Sequence, residues 1–143
     1  PALAEASEDI HLTIVGEGQE RELLTEQAEK LGITERIRFL GYVEGEPLRE
    51  LYHNADVFIL PTREDCFGLV ILEAMCASLP VISSKYADGA FDLVAEGENG
   101  YIVDPEDTHA FAEKIDQERA AMSAHMHLHL KRWQRAASML SAM

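Results

Sequence analysis

Along the chain, apolar and polar positions alternate between two periods, and the alternation repeats almost without a break. Residues 11–15 (HLTIV) form a short apolar run that ends in a glycine turn. Leu24, Ala28 and Leu31 then space an amphipathic helix that stops at Gly32. Residues 37–40 (IRFL) predict a second strand, closed by Gly41. After it Leu48, Leu51, Tyr52 and Ala55 fall at i, i+3, i+4 and i+7, with Pro47 suited to a first helical turn. Residues 57–60 (VFIL) predict a third strand, wholly apolar as in a parallel sheet covered on both faces. A loop, PTREDC, leads into a helix predicted over 67–77 that is apolar nearly all round. Strands follow at 80–83 (PVIS) and 101–103 (YIV), with a short helix near 90–95 and the turn EGENG between them. Helices are predicted from about Asp107 and from about Glu118. In the second, Met122, Met126, Leu130, Trp133, Ala137 and Leu140 make a continuous seam.

Strand–helix units of this length predict a Rossmann-like three-layer α/β domain with a parallel sheet and right-handed crossovers. Ligands of such sheets sit at the carboxyl ends of the strands, which directs attention to the loops after Val15, Leu40, Leu60 and Ser83. With 143 residues the chain has the length of about one domain, and no run of 18 apolar residues is present to span a membrane. The opening PALAEASEDI lacks the pattern of a secretory signal and runs straight toward a strand, as expected of a piece of a longer protein. Twelve basic against twenty-six acidic residues give a net charge of −14, which argues against a nucleic-acid surface. An anionic ligand would therefore need backbone amides, helix N-termini or a few local cations. Cys66 and Cys76 match no zinc or redox spacing, and a reduced, cytoplasmic protein is the simplest expectation.

Gly16-Glu17-Gly18 follows a strand and opens a helix, but Arg21 stands where a dinucleotide fingerprint would carry its third glycine. The pair fits a tight turn or a close approach of backbone to a phosphate. The segment 61–75, PTREDCFGLVILEAM, is more informative. Glu73 lies among Leu69, Val70, Ile71, Leu72, Ala74, Met75 and Cys76, where an unpaired buried carboxylate would be costly. It must find donors or face a cleft, and the two hydroxyls of a ribose are suitable donors. Asp65 is expected roughly 10–12 Å away, too far for a glycosidase pair but suited to gripping the two ends of an extended ligand. The amides of Phe67, Gly68 and Leu69 would face a diphosphate between them, with Gly68 keeping the approach open.

This segment, with SLPVISSKYADGAFDLVAEGENGYIVDPED after it, resembles the C-terminal donor-binding domain of GT-B type retaining glycosyltransferases. That large group includes sucrose synthase, glycogen synthase and the lipopolysaccharide and mannosyl transferases. Its motif of two glutamates seven residues apart is matched here by Asp65 and Glu73, with Phe67-Gly68 and Glu73-Ala74-Met75 in place. The resemblance spans roughly residues 10–117 and implies a donor-binding domain over 1–117, incomplete at its start. Residues 118–143 would form a helix packing on that domain or on an absent N-terminal one. It implies that Glu73 binds ribose, Asp65 (or the adjacent Glu64) the transferred sugar, and the Phe67, Gly68 and Leu69 amides sugar and phosphate, with Cys66 in the same loop. Gly16 and Gly18 would line the donor, and backbone at Tyr42 and Val43 would edge the base.

Asp65 and Glu73 are the implied catalytic pair. The implied reaction moves a sugar from a UDP-, GDP- or ADP-sugar to a sugar, lipid or polysaccharide acceptor with retention, without metal or cofactor. At full length the protein is also expected at the cytoplasmic face of a membrane. Asp65 departs from the commoner Glu, and the Arg and Lys that usually pair with the diphosphate are not in this sequence. Alternatives are a nucleotide-binding regulatory module without transfer activity, or a nucleotide-sugar epimerase. Arg63 and Lys85 follow strand ends and could be ligand contacts or surface charges. His125, His127 and His129 fit a solvated helix face better than a metal site.

Overall fold

The computed structural model describes residues 1–124. The histidines at 125, 127 and 129 and the seam from Met126 to Leu140 lie outside the described residues. In chain order the elements are α1 (Ala2–Glu5), β1 (Leu12–Val15), α2 (Arg21–Lys30), a 3-10 turn (Thr34–Arg36), β2 (Ile37–Gly41) and α3 (Gly45–His53). They continue with β3 (Phe58–Leu60), α4 (Leu69–Cys76), β4 (Val81–Ser84), α5 (Ala90–Leu93), β5 (Gly100–Val103) and α6 (Thr108–Ala124). All named strands pair in parallel, in two hydrogen-bonded ladders: β1 with β2, and β3–β4–β5 with β4 in the middle.

Position in the ladder, rather than apolarity, decides which strand is buried. β3 is all apolar, yet every residue of it is only partly buried because it stands at a ladder edge. The expectation that β3 is covered on both faces is corrected here, for β4 holds that place. Its sequence is VISS, and all four residues are buried. Val81 faces a core with Ile71, Ala74, Met75, Ala90 and Leu93, while Ile82 faces a second core with Val103, Phe111 and Ile115. Ser83 and Ser84 are tolerated there because their hydroxyls bond locally: Ser83 Oγ donates to the Ser84 carbonyl, and Ser84 Oγ accepts from the Tyr86 amide at 3.0 Å.

Two helices end in the same hydrogen-bonded cap. After α2 the Ile33 amide donates to the Ala28 carbonyl and the Gly32 amide to that of Glu29, with Gly32 left-handed at φ +67°. After α4 the Leu79 amide donates to Ala74 and the Ser78 amide to Met75, but the left-handed residue is Ser78, at φ +64°. Ser78 thus carries a Cβ where glycine is unstrained.

Helix α1, not expected from the sequence, packs against α6. The Ser7 amide donates to Asp116, Thr108 Oγ1 donates to Glu5, and the Arg119 guanidinium donates to Asp9. Helix α6 runs unbroken through residue 118, where the sequence suggests two helices.

Candidate functional site

The residues singled out from sequence gather in two groups, each at the carboxyl end of its own ladder. Gly16, Gly18, Tyr42 and Val43 lie beyond β1 and β2. The Gly16 amide donates to the Gly41 carbonyl at 2.7 Å, and Gly16 has φ +119°, a conformation that disfavours any side chain. A Cβ built on Gly16 or Gly18 meets nothing within 4 Å, so both face open space. The Tyr42 ring is 70% exposed, and its hydroxyl donates to Glu44 Oε2 at 2.6 Å. That bond, more than the slight burial, raises the phenol's pKa above its ordinary value.

The second group is the loop from β3 to α4. Its backbone adds one parallel bridge to the β4–α5 loop: the Asp65 amide donates to the Tyr86 carbonyl, and the Asp88 amide to that of Asp65. Thr62 tightens the loop by donating to the Glu64 carbonyl while accepting from the Glu64 amide. Glu64 and Cys66 are exposed. Asp65 turns its carboxylate inward on the loop, where Oδ1 accepts from the amides of Phe67 (3.0 Å) and Gly68 (2.5 Å).

That geometry corrects two expectations. The amides of Phe67 and Gly68 already hold an anion, the Asp65 carboxylate, rather than standing open to a diphosphate. By position, the amides of Leu69 and Val70 are the ones lacking an i−4 acceptor at the start of α4. Gly68 is needed for its left-handed φ of +70°, and a Cβ there would point inward, 3.0 Å from Ile71 Cδ1 and 3.4 Å from Leu60 Cδ2. It does not keep a ligand approach open. The helix itself begins at Leu69 rather than at Phe67, because a left-handed residue cannot continue it.

Glu73 is exposed, which also corrects the argument that placed it in a buried apolar setting. Helix α4 buries Ile71, Ala74 and Met75 and turns Leu69, Glu73 and Cys76 to solvent, residues that share one face at i, i+4 and i+7. Leu69 is 66% exposed, an unusual state for leucine at the head of an apolar helix. Glu73 Oε2 accepts from the Tyr52 hydroxyl on α3 at 3.0 Å. Partial burial, and then the Glu73 carboxylate, push the Tyr52 pKa well above its ordinary value, so this phenol stays protonated.

The two cations proposed as possible ligand contacts both face carboxylates. Lys85 Nζ lies 2.5 Å from Asp104 Oδ2 and 5.0 Å from the centre of the Tyr86 ring. The hydrogen bond between them raises the lysine and lowers the aspartate from their ordinary values. Arg63 stands 3.9 Å from Glu106.

Sequence reasoning missed two residues. Tyr52 reads as one more position on the apolar stripe of α3, and the only sign was that a half-buried phenol needs a hydroxyl partner. Gly89 has an ordinary φ, yet a Cβ on it would lie 2.0 Å from the Phe67 carbonyl oxygen. The β3–α4 loop rests directly on its Cα.

Residues 1–119 match the family described as glycosyl transferases group 1. A D-inositol 3-phosphate glycosyltransferase of Corynebacterium urealyticum is 37% identical over 134 residues, which are 87% of this chain and 31% of that protein. A glycogen synthase of Mycobacterium tuberculosis is 34% identical over 115 residues, 80% of this chain and 28% of that protein. The chain thus spans less than a third of the length of either relative.

Among solved structures, a sucrose-phosphate synthase of Thermosynechococcus elongatus aligns with a TM-score of 0.81 at 28% identity. The alignment covers 96% of this chain and 36% of that one. Anabaena HepE in complex with UDP-glucose aligns with a TM-score of 0.69 at 27% identity, covering 99% of this chain and 43% of that one. The parallel α/β architecture expected from the sequence is the one found, and it matches the GT-B glycosyltransferases.

Proposed function

The chain belongs to the glycosyl transferases group 1 family, and from that premise we propose that it is the donor-binding part of an enzyme that moves a sugar from a nucleotide-sugar to an acceptor. The observation that carries this reading is Glu73: a carboxylate on the solvent face of α4, on the helix that follows the carboxyl end of β3, held by a neutral donor. A carboxylate has about four acceptor sites, and Tyr52 uses one, which leaves room for both ribose hydroxyls. The relative bound to UDP-glucose supports a nucleotide-sugar as the ligand.

In this reading Asp65 meets the transferred sugar through Oδ2, since Oδ1 is engaged by the amides of Phe67 and Gly68. The diphosphate is attracted to the start of α4, at the Leu69 and Val70 amides, where the helix dipole favours negative charge. Backbone at Tyr42 and Val43 edges the base. Transfer proceeds with retention, the acceptor attacking on the leaving group's own face while the amides stabilise the departing diphosphate. The acceptor is a sugar, lipid or polysaccharide bound by a further part of the protein.

The test is transfer by the full-length protein from UDP-, GDP- and ADP-glucose and their mannose counterparts. Glu73→Ala is expected to lower kcat/KM by about 150-fold or more, the loss of two hydrogen bonds to a charged acceptor at about 1.5 kcal/mol or more each, while remaining folded. Wild-type turnover in that variant would refute the assignment. Nucleotide binding without transfer would identify a regulatory module, and conversion of the nucleotide-sugar without acceptor an epimerase.

A further inference from the structure

We propose that Tyr52 is a positioning residue that fixes the Glu73 carboxylate for the nucleotide's ribose, an inference that rests on the ribose role assigned to Glu73 above. The hydrogen bond joins residues 21 apart in sequence, from α3 to α4, and spans the flank of β3. The tyrosine is anchored at both ends. Its ring packs on Phe58, the first residue of β3, with centroids 5.8 Å apart and planes at 48°, and touches the core below α4. Its hydroxyl ends on Glu73 Oε2 at 3.0 Å.

Glu73, by contrast, is exposed. It stands on an exposed face between Leu69 and Cys76, where a glutamate would otherwise sample several rotamers. Ordering such a side chain on binding opposes affinity, and a tether present beforehand removes that cost. The chemistry of the tether matters as well. An Arg or Lys in this place would occupy more of the carboxylate's acceptor sites and offset the charge that attracts hydroxyl donors. A phenol supplies one neutral donor and leaves the carboxylate anionic. A phenol is protonated throughout the physiological range, and the raised Tyr52 pKa only widens that margin.

The experiment is calorimetry on the full-length protein with UDP, GDP and ADP, then with the 2′,3′-dideoxy form of whichever binds the wild type. Tyr52→Phe removes the hydroxyl and keeps the ring on Phe58. It is expected to weaken the ribonucleotide about five- to tenfold, while the dideoxy ligand binds wild type and variant equally within about twofold. Glu73→Ala is expected to show the same ligand dependence with a larger loss, and Tyr52→Phe added to it to change nothing more. Equal losses on both ligands would make Tyr52 a structural residue and overturn the inference, as would no loss on either. If Glu73→Ala discriminates the ligands and Tyr52→Phe does not, the ribose role stands and only the positioning role falls. If Glu73→Ala fails to discriminate, or no nucleotide binds the wild type, the ribose role itself fails and the inference with it.

Discussion

Replacing Gly89 with alanine tests whether the β3–α4 loop is held by backbone contact. The residue has φ −66° and ψ −14°, values any amino acid adopts, so no conformational strain enters. Taken alone, a glycine-to-alanine change in such a conformation stabilises a protein by about 0.4–1 kcal/mol, by restricting the unfolded chain. Here the new Cβ would lie 2.0 Å from the Phe67 carbonyl oxygen, and real Cβ contacts essentially never fall below 3.0 Å. The loop must therefore retreat by about 1 Å, and what moves is backbone rather than the free end of a side chain.

The bonds between Asp65 and Tyr86 and between Asp88 and Asp65 hold that loop in place, so the strain falls on them. Overpacking of this kind costs about 2–3 kcal/mol, which reverses the sign of the change. Set against the intrinsic gain the net loss is about 1–2.6 kcal/mol, and at about 3 °C per kcal/mol for a domain of this size Gly89→Ala is expected to melt about 3–8 °C below the wild type. Urea titration followed by circular dichroism reads the same loss as a shifted midpoint at unchanged slope. Gly18→Ala is the control: nothing lies within 4 Å of its Cβ position, and it should melt at or slightly above the wild type. In full-length protein, a displacement of 1 Å at Phe67 is expected to cost transfer up to about 100-fold. A Gly89→Ala variant as stable as the Gly18→Ala control, with transfer intact, would show that the two loops are not in contact.

Ser78→Gly should raise stability by about 0.5–1 kcal/mol, because it places in the α4 cap the residue type that already closes α2 at Gly32; an unchanged or lowered melting temperature would count against strain at φ +64°. The Lys85–Asp104 pair should make stability pH-dependent at both extremes. Asp104 is lowered from 3.8, so its contribution is full above that value and lost as pH falls through its folded pKa. Lys85 is raised from 10.5, so its contribution is full below that value and lost as pH rises through its folded pKa. Melts of wild type and Lys85→Met should therefore converge in acid, and the gap at pH 7 should shrink in 1 M salt, since both side chains are well exposed. A gap that persists in acid would rule the ion pair out as its source.

Strand and helix order was legible because alternation and i, i+3, i+4 spacing are properties of neighbours in sequence. Burial was not, because it depends on which strand lies in the middle. VFIL reads as the covered strand and VISS as an ordinary one, yet the ladder order puts β4 between β3 and β5 and reverses their roles. The Asp65–Glu73 spacing was readable as a motif, and its two members do stand on one loop and the helix after it. Their states were not readable. Asp65 folds back on amides two and three residues ahead, a choice set by the turn at Gly68. Glu73 lies on the solvent face of a helix whose composition alone suggested burial on every side. Helix α1 carries no periodic signal in four residues, and its reason for existing is α6, more than a hundred residues away.

That distance gives the clasp between α1 and α6 a place in the order of events. The β1–β2 ladder and the β3–β4–β5 ladder are each made of stretches adjacent in sequence, so each can close as soon as its own residues are available. The contacts of Ser7, Glu5 and Asp9 with Asp116, Thr108 and Arg119 cannot, for they close loops of 109, 103 and 110 residues. On loop-closure entropy they are expected to form after the ladders, and they bind the earliest part of the described chain to its latest. A clasp of this kind is expected to make two local halves unfold as one unit, so that loosening it lets them open at different temperatures rather than together.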